Sequence, residues 1–206
     1  MADGVVVLND LDVVLADSTF FDDYLEDAHK EYRMGRESVG TDTLHRPNSF
    51  GLLGGVVVDG DAMELRRLAF AGNVRAVDPV PLEEFKETIV PQFGPQYDDG
   101  RRGFWCDAQD LLRVARQFED EGLELLGSIH LHPDWHRIGP RHERGVQNLS
   151  ERPSRMDEYL FRSAGWPLNI ICYLESRCGG IAHTYGAYRA PGDEPSPLAE
   201  LNMRFF

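Results

Sequence analysis

The chain has 206 residues, of which 42% are hydrophobic and 27% charged, and these values predict one globular domain with a sizeable core. The formal net charge of −14 excludes a nucleic-acid partner, since binding to phosphates needs a basic face. No apolar run is long enough to cross a bilayer, no signal peptide is visible, and the three cysteines form no disulfide framework. We therefore expect a protein of the reducing cytoplasm with no membrane contact.

The first part of the chain predicts strands around one helix. Asp17 or Ser18 caps an amphipathic helix that runs to about Tyr32, and the residues from Met34 to Gly40 follow it directly. Apolar runs predict the strands of this part, at residues 4–8, 12–15, 50–58 and 63–70.

The later part alternates irregular stretches with regular elements. Asp107 caps a helix that runs to Glu119 and leads into a buried strand, and residues 167–190 read as two long strands. Two irregular stretches interrupt this order, at residues 78–102, with a short helix at 82–89, and at residues 134–153. We expect both to flank the functional cleft and to determine selectivity for the substrate.

The buried strand carries the first chemical motif, Leu123-Glu-Leu-Leu-Gly-Ser-Ile-His-Leu-His-Pro133. Side chains alternate along a strand, so His130 and His132 point the same way, and Pro133 ends the hydrogen-bonded ladder. Two such imidazoles can chelate one metal ion. The alternative is a pair of half-buried strand histidines that bond to their neighbours.

The second motif is Ser154-Arg-Met-Asp157, at the start of an amphipathic segment from 156 to 166. Ser154 and Asp157 have the spacing of an ordinary helix-capping pair. A carboxylate in that first turn, brought beside the paired histidines, would complete a His, His, Asp set with one position left for water. That set is typical of catalytic zinc sites.

The two motifs together, H-x-H-P and P-S-x-x-D, resemble the signature of the JAMM (MPN-plus) zinc metalloproteases. The resemblance implies an α/β fold, a single MPN (cytidine-deaminase-like) domain over residues 1–190 with a mixed β-sheet flanked by helices. It also implies two loop insertions, at about 78–102 and 134–153, and a C-terminal tail at 191–206.

The same resemblance implies a deubiquitinase-like function. These enzymes are zinc-dependent isopeptidases that release ubiquitin or ubiquitin-like proteins, so a ubiquitin-like protein or its conjugates would be the partner. Bacterial relatives occur beside such proteins and their conjugating enzymes, which makes the products of a neighbouring conjugation operon further candidate partners. Both the removal of conjugates and the processing of precursors fit the resemblance.

The resemblance also assigns roles to single residues. Zinc is held by His130, His132 and Asp157, and the Ser154 hydroxyl stabilises the oxyanion. A carboxylate must act as general base. In the family a glutamate stands in E-x-x-G before a glycine-rich strand, and two registers compete here: Glu37-Ser-Val-Gly40 supplies the glutamate, whereas Gly51-Leu-Leu-Gly-Gly55 puts Asn48 in its place. We favour Glu37, because an amide cannot accept the proton.

Two other interpretations stay open. Residues 130–136 approach the H-x-H-x-D-H pattern of metallo-β-lactamase-type hydrolases, although His136 stands one residue late. The chain could also be an inactive MPN-like scaffold that binds a ubiquitin-like protein or a partner subunit. His136 and His142 are either spare ligands or exposed loop histidines.

Overall fold

The computed structural model describes residues 12–37, 49–58, 62–134, 152–190 and 197–206. Seven strands in these ranges form one mixed sheet that closes into a barrel, in the order β1-β3-β2-β4-β5-β6-β7. The strands are β1 (Val13–Ala16), β2 (Phe50–Val58), β3 (Ala62–Phe70), β4 (Glu124–Pro133), β5 (Leu168–Arg177), β6 (Gly180–Arg189) and β7 (Ala199–Phe205). The predicted α/β class and mixed sheet are confirmed, but closure into a barrel was not predicted.

Four helical regions pack on this sheet in the described part of the chain. Three of these regions are single helices, α1 (Asp22–Glu37), α4 (Ala108–Asp120) and α5 (Arg155–Ala164). The remaining region consists of α2 (Pro79–Glu84), a π-helical turn (Phe85–Ile89), α3 (Val90–Phe93) and a 3-10 turn (Pro95–Asp98). None of these helices has the length and apolar composition that crossing a membrane would need.

The last strand corrects the predicted C-terminal tail. β7 pairs in parallel with β1, from Asn202 opposite Val13 to Phe205 opposite Ala16, and its first residues pair with β6. These two pairings close the barrel. The alternation of apolar Ala199, Leu201, Met203 and Phe205 with polar neighbours is the period-2 signal of a strand, so the sequence did carry this information.

Two predicted boundaries are also corrected. α1 continues beyond Tyr32, so Glu37 lies in its last turn instead of in a segment after the helix. Residues 78–102 are mostly helical, and the Asp78 side chain accepts a hydrogen bond from the N–H of Val80 as the cap of α2. Pro79 and Pro81, which suggested an irregular stretch, lie in the first turn, where the missing N–H costs nothing. The predicted strand at 4–8 lies outside the described residues.

Two apolar clusters cover the two faces of the sheet. Leu53 and Ile170 belong to the cluster that packs under α1, whereas Leu52 and Ile171 belong to the cluster under α4 and α5. The change of cluster between adjacent residues follows from strand alternation. On the second face α4 lies close to β2, and the close approach requires a glycine at position 54. A Cβ atom there would come within 2.8 Å of the Phe118 ring of α4.

β4, α5 and β5 form one unit that positions the two motifs. β4 and β5 are parallel neighbours, with His130 opposite Ile171, and α5 lies in the connection between them. This arrangement brings the carboxyl end of β4 beside the N-terminus of α5. In open α/β sheets ligands bind in this kind of place, beyond the carboxyl ends of parallel strands.

Candidate metal centre

The two histidines of β4 lie side by side at the end of that strand. His130 and His132 share one face, with ring centroids 4.9 Å apart. The buried His130 ring packs against Phe104 and Phe161, at centroid distances of 4.3 and 5.9 Å. The His132 ring meets Tyr173 edge-on at 5.5 Å. These aromatic neighbours hold both imidazoles in place by apolar contact.

Asp157 is held in the first turn of α5 by a capping box. The N–H of Ser154 donates to Asp157 Oδ2 at 2.6 Å, and Ser154 Oγ accepts from the N–H of Asp157 at 3.1 Å. The predicted capping pair is therefore confirmed. Because the cap fixes the carboxylate beside β4, capping and metal binding are compatible roles for Asp157.

The spacing of the three side chains fits a metal ion. His130 Nε2 lies 3.5 Å from Asp157 Oδ1, and His132 Nε2 lies 3.4 Å from Asp157 Oδ2. These separations are long for hydrogen bonds between nitrogen and oxygen. Two ligand atoms at about 2.0–2.1 Å from one zinc ion, at tetrahedral angles, are themselves about 3.3–3.4 Å apart. One atom from each residue can be chosen so that all three lie within 4.8 Å of one another.

The polar atoms of this group are not satisfied by hydrogen bonds. Both ring nitrogens of His130 and Oδ1 of Asp157 are buried without a hydrogen-bond partner in the described part of the chain. A buried polar atom left in this state costs about 1–3 kcal/mol, so such atoms are rare. A cation between His130 and Asp157 would satisfy Nε2 and Oδ1. The residues therefore fit a metal ion, and a His, His, Asp donor set suits zinc.

The surroundings favour the protonation states that bind a metal. Burial lowers the pKa of His130 and outweighs the opposing effect of the nearby Asp157 carboxylate, so the neutral imidazole is favoured. Burial works to raise the pKa of Asp157, but His132 and His130 outweigh it and hold that pKa well below its usual value. A neutral imidazole and an ionised carboxylate are the forms that coordinate metals.

The three side chains open into a small cavity of about 60 Å³, which is room for a few water molecules or one small polar group. Its other polar lining residues are Ser49, Asn73, Tyr97, Arg101, Arg102 and Ser154. Ser154 Oγ accepts the N–H of Asp157, and the Ser154 hydroxyl also hydrogen-bonds with the Tyr97 side chain in the same lining.

Asp134, directly after H-x-H-P, has a structural role in this chain. Its Oδ1 accepts a hydrogen bond from the Tyr32 hydroxyl at 2.7 Å, and its Oδ2 accepts one from the N–H of Ser176 at 3.0 Å. These bonds join the end of β4 to α1 and β5. They weigh against the H-x-H-x-D-H interpretation, which needs this carboxylate for metal. His136 and His142 lie outside the described residues.

The structure does not bring Glu37 to the metal centre. Its side chain is exposed in the last turn of α1, and it is absent from the described lining of the cavity. Asn48 lies outside the described residues, but its neighbour Ser49 is buried and lines the cavity. Asp157 is the only carboxylate in the described lining.

Sequence reasoning missed several lining residues. The expectation that residues 78–102 flank the cleft is confirmed, because Tyr97, Arg101 and Arg102 line the cavity. The individual residues were not predicted, and no local pattern marks them. Most of the second stretch, residues 135–151, lies outside the described residues.

The sequence matches no known protein family and no curated protein. The function is therefore inferred from the geometry of the His–His–Asp group, from the residues that line its cavity and from the two sequence motifs.

Proposed function

We propose that the chain is a zinc-dependent peptidase of the JAMM type, with an MPN (cytidine-deaminase-like) fold, that cleaves after the C-terminus of a ubiquitin-like protein. One observation carries this proposal: the buried His130–His132–Asp157 group has metal-ligand spacing, and some of its polar atoms have no hydrogen-bond partner in the part of the chain that the structure describes. The motifs that provide these residues resemble the JAMM signature. Either removal of conjugates or processing of precursors fits the proposal.

Zinc held by His130, His132 and Asp157 would supply a Lewis acid that polarises a carbonyl and lowers the pKa of a bound water to about 7. The chain contributes the rigid frame for this chemistry. Aromatic contacts fix the two imidazoles, and the capping box fixes the carboxylate, so little reorganisation is needed when a substrate binds.

Ser154 is the proposed donor to the substrate. Its hydroxyl borders the cavity, and its oxygen accepts the N–H of Asp157, which fixes its position. The hydroxyl hydrogen bonds with Tyr97, and it would rotate to the substrate carbonyl when a substrate binds. A positioned donor of this kind stabilises the negative charge that develops on the carbonyl oxygen, and removing one typically costs about 10²–10³-fold in rate.

The size of the cavity restricts what can reach the metal centre. A cavity of about 60 Å³ is far smaller than a folded protein, so a protein substrate would have to present an extended segment to the metal centre. This supports an extended C-terminal tail as the substrate segment.

Glu37 is the proposed general base. The proposal is based on its E-x-x-G register, and it requires Glu37 to reach the cavity from the exposed last turn of α1. Proton transfer by a positioned side chain is worth about 10²–10⁴-fold in rate, so the role can be measured.

A second candidate function is an inactive MPN-like scaffold that binds a ubiquitin-like protein or a partner subunit. The observation that favours it is that Ser49, the residue that follows Asn48 in the sequence, lines the cavity, whereas Glu37 is not part of the described lining. An asparagine in that place could position a ligand but could not accept a proton.

The test uses the full chain loaded with zinc and fusions of candidate ubiquitin-like proteins to a reporter. Mass spectrometry would locate cleavage. Cleavage after the last residue of the ubiquitin-like protein, lost in His132→Ala together with the metal, supports the peptidase. Binding without cleavage supports the scaffold, and absence of both binding and cleavage contradicts both functions. The control variant is His183→Ala, since His183 lies on β6 outside the cavity lining.

A further inference from the structure

The segment that precedes Arg101 and Arg102 is anchored to the core. Phe85 and Ile89 are buried in the cluster under α4 and α5. The Arg75 guanidinium lies 3.4 Å from the centroid of the Phe85 ring and donates to the carbonyl oxygen of Tyr97 at 2.8 Å. The residues at the end of this segment are thus held in place relative to the metal centre.

Two arginines from this segment line the same cavity as the metal ligands. Arg101 Nε donates to both carboxylate oxygens of Asp99, at 2.9 and 3.0 Å, so the orientation of Arg101 is fixed. Arg102 is only 8% exposed, and its backbone N–H donates to the backbone carbonyl oxygen of Asp99 at 2.9 Å. Both arginines, with Tyr97 beside them, line the cavity.

Burying a guanidinium is unfavourable unless partners compensate for the lost water. Arg102 is nevertheless almost buried and lines the cavity of the candidate metal centre, in a chain of net charge −14. Its planar set of donors matches the two oxygens of a carboxylate better than any other side chain does. A divalent cation at His130, His132 and Asp157 would add to the positive potential of the same small space.

We propose that Tyr97, Arg101 and Arg102 form an anion-binding subsite that takes a carboxylate group of the substrate next to the metal centre. The inference depends on the proposed function, since it assigns a substrate feature to the same cavity. The carboxylate belongs either to a free C-terminus or to an acidic side chain beside the cleaved bond. In both cases Arg102 contributes the charge-assisted hydrogen bonds, and Tyr97 and Arg101 hold the group beside the metal.

The experiment measures binding of three peptides by calorimetry. They are acetyl-Leu-Gly-Gly with a free carboxylate, the same peptide as its C-terminal amide, and acetyl-Leu-Glu-Gly amide. Each is titrated into the zinc-loaded full chain and into the chain stripped with a chelator. The metal-free titration isolates the contribution of the arginines, so it gives an answer even if the chain neither retains zinc nor cleaves any protein.

We expect at least one carboxylate peptide to bind about 10- to 100-fold more tightly than the neutral amide, as for hydrogen bonds to charged groups. Arg102→Gln should remove most of this preference in both forms of the protein. Arg102→Lys, which keeps the charge but loses the planar donors, should leave a smaller preference. A preference for the free acid alone identifies a C-terminus, and an equal preference for the glutamate peptide identifies a side chain.

The matched control is Arg113→Gln on α4, because it makes the same change at an arginine that is exposed and outside the cavity lining. It should bind all three peptides as the wild type does. Unchanged zinc content and circular dichroism would show that the Arg102 variants fold. Equal binding of acid and amide by the wild type, a preference that survives Arg102→Gln, or no binding at millimolar peptide would overturn the proposal.

Discussion

Two buried aspartates, Asp134 and Asp157, differ in how their oxygens are satisfied. Both are almost inaccessible, at 2% and 1% exposure. Asp134 directs one oxygen to the Tyr32 hydroxyl and the other to the N–H of Ser176. Asp157 directs Oδ2 to the helix cap, while its Oδ1 faces His130 and has no hydrogen-bond partner among the described residues.

The comparison shows how a structural carboxylate differs from a candidate ligand at equal burial. A buried charge is stable only when donors or cations surround it. Asp134 has donors on both oxygens, and these tie three elements together. Asp157 has room for a cation between itself and two imidazoles, which is the arrangement expected of a binding site.

The largest effect should come from removing the ligand carboxylate. We expect Asp157→Asn to weaken zinc affinity by more than about 100-fold, since loss of even an outer-shell partner costs 10–100-fold. Competition with a chelator would measure it. Asp134→Asn is the matched control and should keep its zinc. Full zinc occupancy in Asp157→Asn would contradict the assignment of the site.

Glu37 provides a test with an exposed carboxylate. On the proposed role, Glu37→Gln lowers the cleavage rate by about 10²–10⁴-fold and leaves zinc content unchanged. The control is Glu26→Gln, an exposed glutamate on the same helix. Cleavage at the wild-type rate by Glu37→Gln would mean that the base lies elsewhere, and Asn48→Ala would then test the other register.

Ser154 combines the two kinds of role, because it caps α5 and borders the cavity. We expect Ser154→Ala to lower the cleavage rate by about 10²–10³-fold and to destabilise the chain by about 1 kcal/mol through loss of the cap. Ser154→Thr keeps a hydroxyl and should recover stability more than rate. If Ser154→Ala loses only stability, Ser154 is a cap alone.

The smallest effect concerns the satisfied aspartate. Tyr32→Phe removes the 2.7 Å hydrogen bond to Asp134 and should lower the free energy of unfolding by about 1–3 kcal/mol without changing zinc content. Urea unfolding of the zinc-loaded chain would measure it. Tyr185→Phe is the control, because the buried Tyr185 hydroxyl has no hydrogen-bond partner in the described residues and its loss should not destabilise. Equal effects of the two changes would remove the distinction.

Much of the candidate site could be predicted from local patterns. The alternation in β4 places His130 and His132 on one face, and the S-x-x-D spacing predicts the cap that holds Asp157. Each prediction depends only on residues within one strand or one helical turn. The end of α1 shows where this reasoning fails, because the E-x-x-G pattern does not indicate that the helix continues to Glu37.

Other features depended on contacts between distant parts of the chain. Arg102 reaches the cavity because Phe85 and Ile89 anchor its segment in a cluster built from α4, α5 and the sheet. The role of Asp134 depends on a tyrosine of α1 and a backbone N–H of β5. No spacing in the sequence encodes these partners.

By itself, the sequence determined the α/β class, the histidine strand and the capped helix, because hydrophobic periodicity and capping act over a few residues. Only the tertiary structure decided that the sheet closes, since β1 and β7 come from opposite ends of the chain and their pairing depends on how the whole sheet twists and packs. It also decided which polar atoms stay unsatisfied. That property depends on every neighbour in space, and it is what distinguishes His130 and Asp157, as candidate metal ligands, from the structural residue Asp134.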